Sequence, residues 1–173
     1  MKIGVIGISS LTLKIACRSS QADYEVIINN PKGNNLIKEA IKNMEPQVKI
    51  GTVEEATKAK LIFFFIPKDD LENFLKSLPG MSGKIVVLTG GLILDHHLLL
   101  SDIKNAFNFK IVSELLTQST VIKLFNPSEI KSKKNPTDLI REDIYFMSEH
   151  SQAKKQIQVF LKKIYYNPIE LSE

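Results

Sequence analysis

Apolar residues in the first half of the chain come in short runs separated by amphipathic stretches, and the two kinds of segment alternate. Lys2–Gly7 is a nearly continuous apolar run ending in glycine, the pattern of a parallel strand buried on both faces. Ser9–Ser20 carries Leu11, Leu13, Ile15, Ala16 and Cys17, a stripe suited to a helix that covers a sheet. Tyr24–Ile28 reads as the second strand, closed by the turn-forming run Asn29-Asn30-Pro31-Lys32-Gly33. Asn34–Met44 repeats Leu36, Ala40, Ile41 and Met44 at helical spacing. Val48–Ile50 is a short third strand. Thr52 opens a helix through Ala59, and Glu55 three residues on completes a capping-box pattern. Leu61–Ile66 is the strongest strand, three phenylalanines flanked by aliphatics and ended by Pro67. A helix starting at Asp69 or Asp70 puts Leu71, Phe74, Leu75 and Leu78 on one face, and Lys84–Leu88 is the fifth strand.

Alternating strands and helices joined by right-handed crossovers make a parallel sheet with helices on both faces. The expectation is an α/β fold of Rossmann type, a doubly wound and mainly parallel sheet, with residues 1–173 forming a single domain. The second half is less regular. Thr89–Ser101 is apolar but holds Gly90-Gly91 and His96-His97, and it reads as a loop. Ile103–Phe107 and Ser113–Gln118 read as short helices, and Thr120–Phe125 as a strand. Ser128–Pro136 is polar and lysine-rich and is expected to be an exposed, mobile loop. Ile144–Met147 reads as a strand, Ser151–Ile164 as a helix, and Tyr165–Leu171 as a last strand or an extended tail.

Composition adds bounds rather than detail. A hydrophobic fraction of 43% and a charged fraction of 24% suit a globular domain with a core. The apolar run at the N-terminus is too short for a secretory signal, and no run reaches the length of a membrane span. Cys17 is the only cysteine, which excludes an internal disulfide and a cysteine-rich metal site, so a cytoplasmic location and no membrane association are expected. Cys17 itself reads as helix packing rather than a reactive thiol. The net charge of +4 favours an anionic ligand no more than it favours solubility.

A dinucleotide-binding turn needs glycine because the backbone must pass close to a pyrophosphate seated on a helix N-terminus. The spacing G-x-G-x-x-G after the first strand falls here on Gly7, Ser9 and Thr12, so only the first glycine is present. Ser9 adds a side chain where backbone should approach phosphate, and Thr12 should push helix and strand slightly apart.

Met1–Gly7, the turn Asn29–Gly33, the run Gly51-Thr52-Val53-Glu54-Glu55-Ala56, Ile66-Pro67, Leu78–Val87 and Val121-Ile122-Lys123-Leu124-Phe125-Asn126 follow one another in order along the chain. Together with Ser148–Leu171 they resemble the deazaflavin-dependent NADP oxidoreductases, whose N-terminal domains are similar to that of pyrroline-5-carboxylate reductase. The likeness covers most of the chain and rests on the order of its motifs. It departs from the family at Ser9, at Thr12 and at Gly90-Gly91, where the family usually has a Thr-Asn-Pro loop.

The resemblance implies an NADP site across the carboxyl ends of the strands. Gly7, Ile8, Ser9, Ser10, Leu11 and Thr12 would lie under the pyrophosphate, and Asn30, Pro31 and Lys32 at the adenosine end. Ile66 and Pro67, with Thr89 and Gly90, would lie near the nicotinamide ribose. Lys32 takes the place of the family's arginine at the adenosine 2′-phosphate. No Asp or Glu closes the second strand to mark NAD. Without a ligand, the same residues are an ordinary serine cap and a polar turn.

Other candidates are weaker. His96 and His97 are adjacent, so on a helix they point about 100° apart and cannot chelate one metal together. A histidine as general acid has no visible partner. Lys131, Lys133, Lys134, Lys154, Lys155, Lys162 and Lys163 lack the aromatic interleaving of a nucleic-acid surface and read as a solvated face. The sequence leaves three readings open. The first is an NADP-binding oxidoreductase exchanging hydride with a small-molecule or redox-cofactor substrate. The second is a non-catalytic Rossmann domain kept for protein interaction or regulation. The third is a module for another phosphate ligand. The resemblance also implies a homodimer, though the sequence shows no interface; no nucleic-acid partner is expected.

Overall fold

The structure is a computed structural model that describes residues 1–42, 47–93, 112–127 and 141–171. One eight-stranded sheet organises them, in the order β3-β2-β1-β4-β5-β6-β7-β8. Its strands are β1 (Lys2–Ile6), β2 (Glu25–Asn29), β3 (Val48–Ile50), β4 (Leu61–Phe64), β5 (Ile85–Ile93), β6 (Thr120–Pro127), β7 (Glu142–Met147) and β8 (Tyr166–Glu170). The helices are α1 (Ser10–Gln21), α2 (Asn35–Ala40), α3 (Val53–Thr57), α4 (Lys68–Lys76) and, in this numbering, α5 (Ser151–Lys163). Strands β1 to β6 pair in parallel, whereas β7 runs antiparallel to β6 and parallel to β8. This is the expected Rossmann-type architecture, extended by a reversed β7-α5-β8 unit.

The central strands are apolar on both faces because both faces are covered. On one side Val5, Phe63 and Val87 pack with Leu11 and Ile15 of α1, Ile37 of α2 and Ile157 and Phe160 of α5. On the other, Ile6, Phe64 and Leu88 pack with Ala56 of α3 and Leu71 and Leu75 of α4. Successive side chains of a strand point to opposite faces, so the phenylalanines of Leu61–Ile66 feed two cores at once. Phe63 meets the Phe160 ring at 5.5 Å, and Phe64 meets Phe74 edge-on at 5.8 Å. Each ring buried in this way is worth roughly 1.5–3 kcal/mol of transfer free energy.

Several segments differ from the pattern reading. The stretch after Leu88, expected to leave the sheet as a loop, stays in β5 as far as Ile93. Its pairing with β6 shifts register between Thr89 and Leu92, so Gly90-Gly91 marks a bulge. Strand β6 correspondingly reaches Pro127 rather than Phe125. Helix α4 starts at Lys68, one or two residues earlier than expected, with Pro67 as its N-cap. Helix α2 is shorter than Asn34–Met44 within the described residues, and 112–115 forms a single helical turn. The expected helix at 103–107 and the expected loop at 128–136 lie outside the described residues. Among the described residues no helix is long and apolar enough to cross a membrane.

Candidate functional site

Strand β1 lies between β2 and β4: the chain runs to one side of β1 for β2 and β3, then crosses to the other side for β4. A doubly wound sheet opens a crevice at such a switch point, outside the carboxyl ends of its strands. Three connections border it: residues 7–9 after β1, 30–34 after β2, and 65–67 after β4.

The first connection is held tightly. Gly7 has φ +88° and sits between its neighbours' exits: its N–H donates to the Asn29 carbonyl at 2.8 Å, and Phe65 N–H donates to the Ile6 carbonyl at 2.8 Å. A Cβ at Gly7 would lie 1.8 Å from the Phe65 carbonyl oxygen, so no other residue fits without moving β4. Earlier in the strand, a Cβ at Gly4 would meet the Ala56 carbonyl oxygen at 2.3 Å, which brings α3 hard against β1.

The positions that lack the second and third glycines form a capping box. Ser9 is extended (φ −144°, ψ 168°), and its Oγ accepts from Thr12 N–H at 3.1 Å. Thr12 Oγ1 in turn accepts from Ser9 N–H at 2.7 Å and donates toward the Gly7 carbonyl at 3.2 Å. Thr12 is fully buried, and its hydroxyl ties the helix start to the turn. Ser9 has no positive φ that would call for glycine. The box uses the Ser9 and Thr12 amides and leaves Ser10 and Leu11 N–H as first-turn donors that no described residue caps. No acidic residue lies in that first turn.

The second connection is a self-organised turn. Asn30 Nδ2 donates to the Gly33 carbonyl at 2.9 Å, and Asn30 N–H donates to Asn34 Oδ1 at 2.9 Å. Pro31 is exposed. Lys32 reaches out of the turn, and its Nζ lies 2.8 Å from Asp70 Oδ2 in the first turn of α4. Asn29, which ends β2, carries no sequence signal of a site, because the residue type that marks a ribose contact there is an acid. It is buried, donates from Nδ2 to the Gly51 carbonyl at 2.7 Å, and keeps an unpartnered Oδ1.

Of the remaining expected residues, Ile8 and Ile66 are half-buried and Pro67 is exposed, all at the crevice end of the sheet. Thr89 is buried, and its hydroxyl donates to the Phe64 carbonyl at 2.9 Å, so that group braces β5 against β4. Gly90 is exposed with nothing near its missing side chain. Lys123 on β6 is level with Ile6 through the register Ile6–Phe64–Leu88–Lys123. Its Nζ sits 5.0 Å above the Phe125 ring, and burial pushes its amine below the ordinary lysine value. His96, His97 and Lys131, Lys133 and Lys134 lie outside the described residues. Among the described residues no group of His, Cys, Asp and Glu is placed to hold a metal.

The family described as NADP oxidoreductase, coenzyme F420-dependent, matches residues 2–90, just over half of the chain. The chain belongs to that family. The matched segment runs from β1 through the bulge of β5 and so contains all three crevice connections. A search of the curated proteins finds no match. Among solved structures, a hypothetical protein from Sinorhizobium meliloti is similar at 21% identity with a TM-score of 0.75, over 99% of this chain and 85% of that one. A proposed F420-dependent NADP-reductase from an Arthrobacter species is similar at 17% identity and a TM-score of 0.74, over 99% and 84%. A reductive aminase from Aspergillus terreus, solved with NADPH4, cyclohexanone and allyl amine, superposes with a TM-score of 0.63 at 13% identity. That alignment covers 98% of this chain and 54% of the aminase.

As a member of the NADP oxidoreductase family, the chain is an NADP-binding protein of the oxidoreductase class. The crevice fits such a cofactor on its own evidence. Gly7 carries no side chain at the turn, no acid lies in the first turn of α1, and no described residue caps Ser10 and Leu11 N–H.

Proposed function

We propose that Gly7, Ile8, Ser9, Ser10, Leu11 and Thr12 hold the pyrophosphate of NADP(H), and that the protein exchanges hydride between this cofactor and a second redox partner such as a deazaflavin. When bound, NADP(H) supplies or accepts the hydride. The chain's own residues bind and orient. Ser10 and Leu11 N–H donate to phosphate oxygens, with the positive end of the α1 dipole behind them. Lys32 meets the 2′-phosphate, and Asn30 and Pro31 shape the turn that carries it. Ile66 and Pro67, with Thr89 and Gly90 of β5, border the nicotinamide ribose and keep water from that end. Hydride transfer between two redox rings needs positioning and exclusion of water more than an acid–base pair, because the cofactors carry the chemistry. A cytoplasmic setting, a homodimer and no nucleic-acid partner belong to the same reading.

The observation that carries it is the α1 start, a helix N-terminus of 12 residues with no acid in its first turn, directly over a glycine that nothing can replace. Thermal unfolding with NADPH, NADH or 2′,5′-ADP tests it. A ligand at about a hundredfold over its dissociation constant stabilises by about 2.7 kcal/mol. Protection by NADPH and 2′,5′-ADP, with little from NADH, is expected. No protection by any of them at millimolar concentration would leave the fold serving protein interaction or another ligand.

A further inference from the structure

Lys32 and Asp70 are 38 positions apart in sequence and belong to connections on either side of β1. Strand β2 feeds the Lys32 turn and β4 feeds α4, so the two loops stand two strand spacings apart, about 10 Å. The extended lysine closes that gap and places its ammonium 2.8 Å from the Asp70 carboxylate. The contact therefore runs over the end of β1, across the half of the crevice assigned to adenosine. Both side chains are well exposed, 66% and 50%, so nothing in the packing forces them together.

We infer that Asp70 is a specificity-determining residue: its carboxylate holds Lys32 across the crevice and competes with the 2′-phosphate of NADP(H) for the lysine ammonium. This rests on the NADP reading above. Lys32 is the only cation in the turn Asn30–Asn34, so a 2′-phosphate at this site has to recruit it from Asp70. A phosphate monoester carries nearly two negative charges against one on the carboxylate, and an exposed ion pair is weak, so the exchange runs toward the phosphate. It also carries a cost: part of the 2′-phosphate interaction is spent on releasing Asp70, which then stands as a free negative charge beside it. A ligand without the 2′-phosphate leaves the pair intact and feels neither effect.

The test is calorimetric titration of 2′,5′-ADP and of 5′-AMP into wild type, Asp70→Asn, Lys32→Gln and the double variant, with NADPH titrated into the wild type and unfolding midpoints taken for all four. Asp70→Asn is expected to tighten 2′,5′-ADP about threefold to fivefold and to change 5′-AMP less than twofold. In the Lys32→Gln background that gain is expected to shrink to less than half, leaving only the part due to the negative charge of Asp70 itself. Equal tightening of both nucleotides, or no tightening of 2′,5′-ADP, overturns the competition. So does the same gain without Lys32, which would make Asp70 a source of simple repulsion. In those cases NADPH binding to the wild type would still stand and the proposed function with it. Failure of wild type and Asp70→Asn alike to bind NADPH or 2′,5′-ADP would instead remove both.

Discussion

Two helices start at the carboxyl end of the sheet with the same device, one neutral and the other acidic. At α1, Ser9 and Thr12 exchange hydrogen bonds as a neutral capping box, and the first turn holds no acid. At α3, Thr52 and Glu55 form the same box, and the first turn carries Glu54 and Glu55. A carboxylate at a helix N-terminus neutralises the partial positive charge there. The α3 start thus carries acidic charge against its dipole, whereas α1 presents its dipole with no acid in its own first turn. The backbone reinforces the difference. Gly7 before α1 is jammed against β4, while Gly51 before α3 would press mainly on the side chains of Ile27 and Glu55. Capping chemistry is common to both starts, and what distinguishes α1 is a first turn without acid after a glycine whose Cβ would collide with the Phe65 carbonyl.

The largest expected effect separates Gly7 from a glycine that has only its backbone angle to defend. Gly7→Ala combines a positive φ with a collision against the Phe65 carbonyl and should cost at least about 3 kcal/mol of stability. Gly33→Ala shares the positive φ but meets nothing, and should cost about 1 kcal/mol. Urea unfolding of both variants measures this. Equal losses would mean that the β1–β4 contact does not govern the turn.

Adding a charge to α1 sharpens the comparison next. Ser10 is exposed in the first turn, so Ser10→Asp should leave the free protein as stable or up to about 1 kcal/mol more stable. The same change should weaken NADPH binding about tenfold or more, equivalent to about 1.4 kcal/mol. Glu54→Gln, at the α3 start, should leave NADPH affinity unchanged. Titration of both variants decides, and a comparable loss in each would erase the distinction between the two helices.

The caps themselves should be alike. Ser9→Ala and Thr52→Ala each remove one cap acceptor and should cost about 1 kcal/mol in denaturant unfolding. The smallest effect is in pH. Hydrogen bonds from its own backbone N–H and then from Thr52 hold the Glu54 carboxyl below its ordinary value. A carboxyl lowered on folding stabilises the native state above the ordinary carboxylate range and loses that contribution as pH falls through its lowered pKa. NMR titration should show the Glu54 midpoint lowered, with amide protection at Glu55 fading on acidification and protection at Thr12 unaffected. Parallel fading at both sites would show that Glu54 does not account for it.

Much of the fold was legible because its central strands are buried on both faces. Lys2–Gly7 and Leu61–Ile66 must be continuous apolar runs there, and the helices between them must carry apolar stripes. The Thr52–Glu55 box was legible too, since its partners are three residues apart. The continuation of β5 past Leu88 was hidden: glycines read locally as a turn, while pairing with β6, 34 to 35 positions further on in the register, holds them in a bulged strand. At the α1 start the serine cap was legible, whereas the reciprocal bond from Ser9 N–H to Thr12 was not, because Thr12 stands where the glycine pattern has its third glycine.

The sequence by itself determined the alternation of strands and helices, the two-sided core, the turn at Gly7 and the positions of the crevice connections. Each of these depends on neighbours a few residues away or on the apolar character of a run. Tertiary structure alone decided why Gly4 and Gly7 cannot change, which hydroxyl braces β5 against β4, and that Lys32 faces Asp70 across the end of β1. Those are contacts between strands, helices and connections that the sheet order brings together but that are distant in the chain. Strand order, which brings them together, is set by how the helices pack on both faces and leaves no mark on the local pattern.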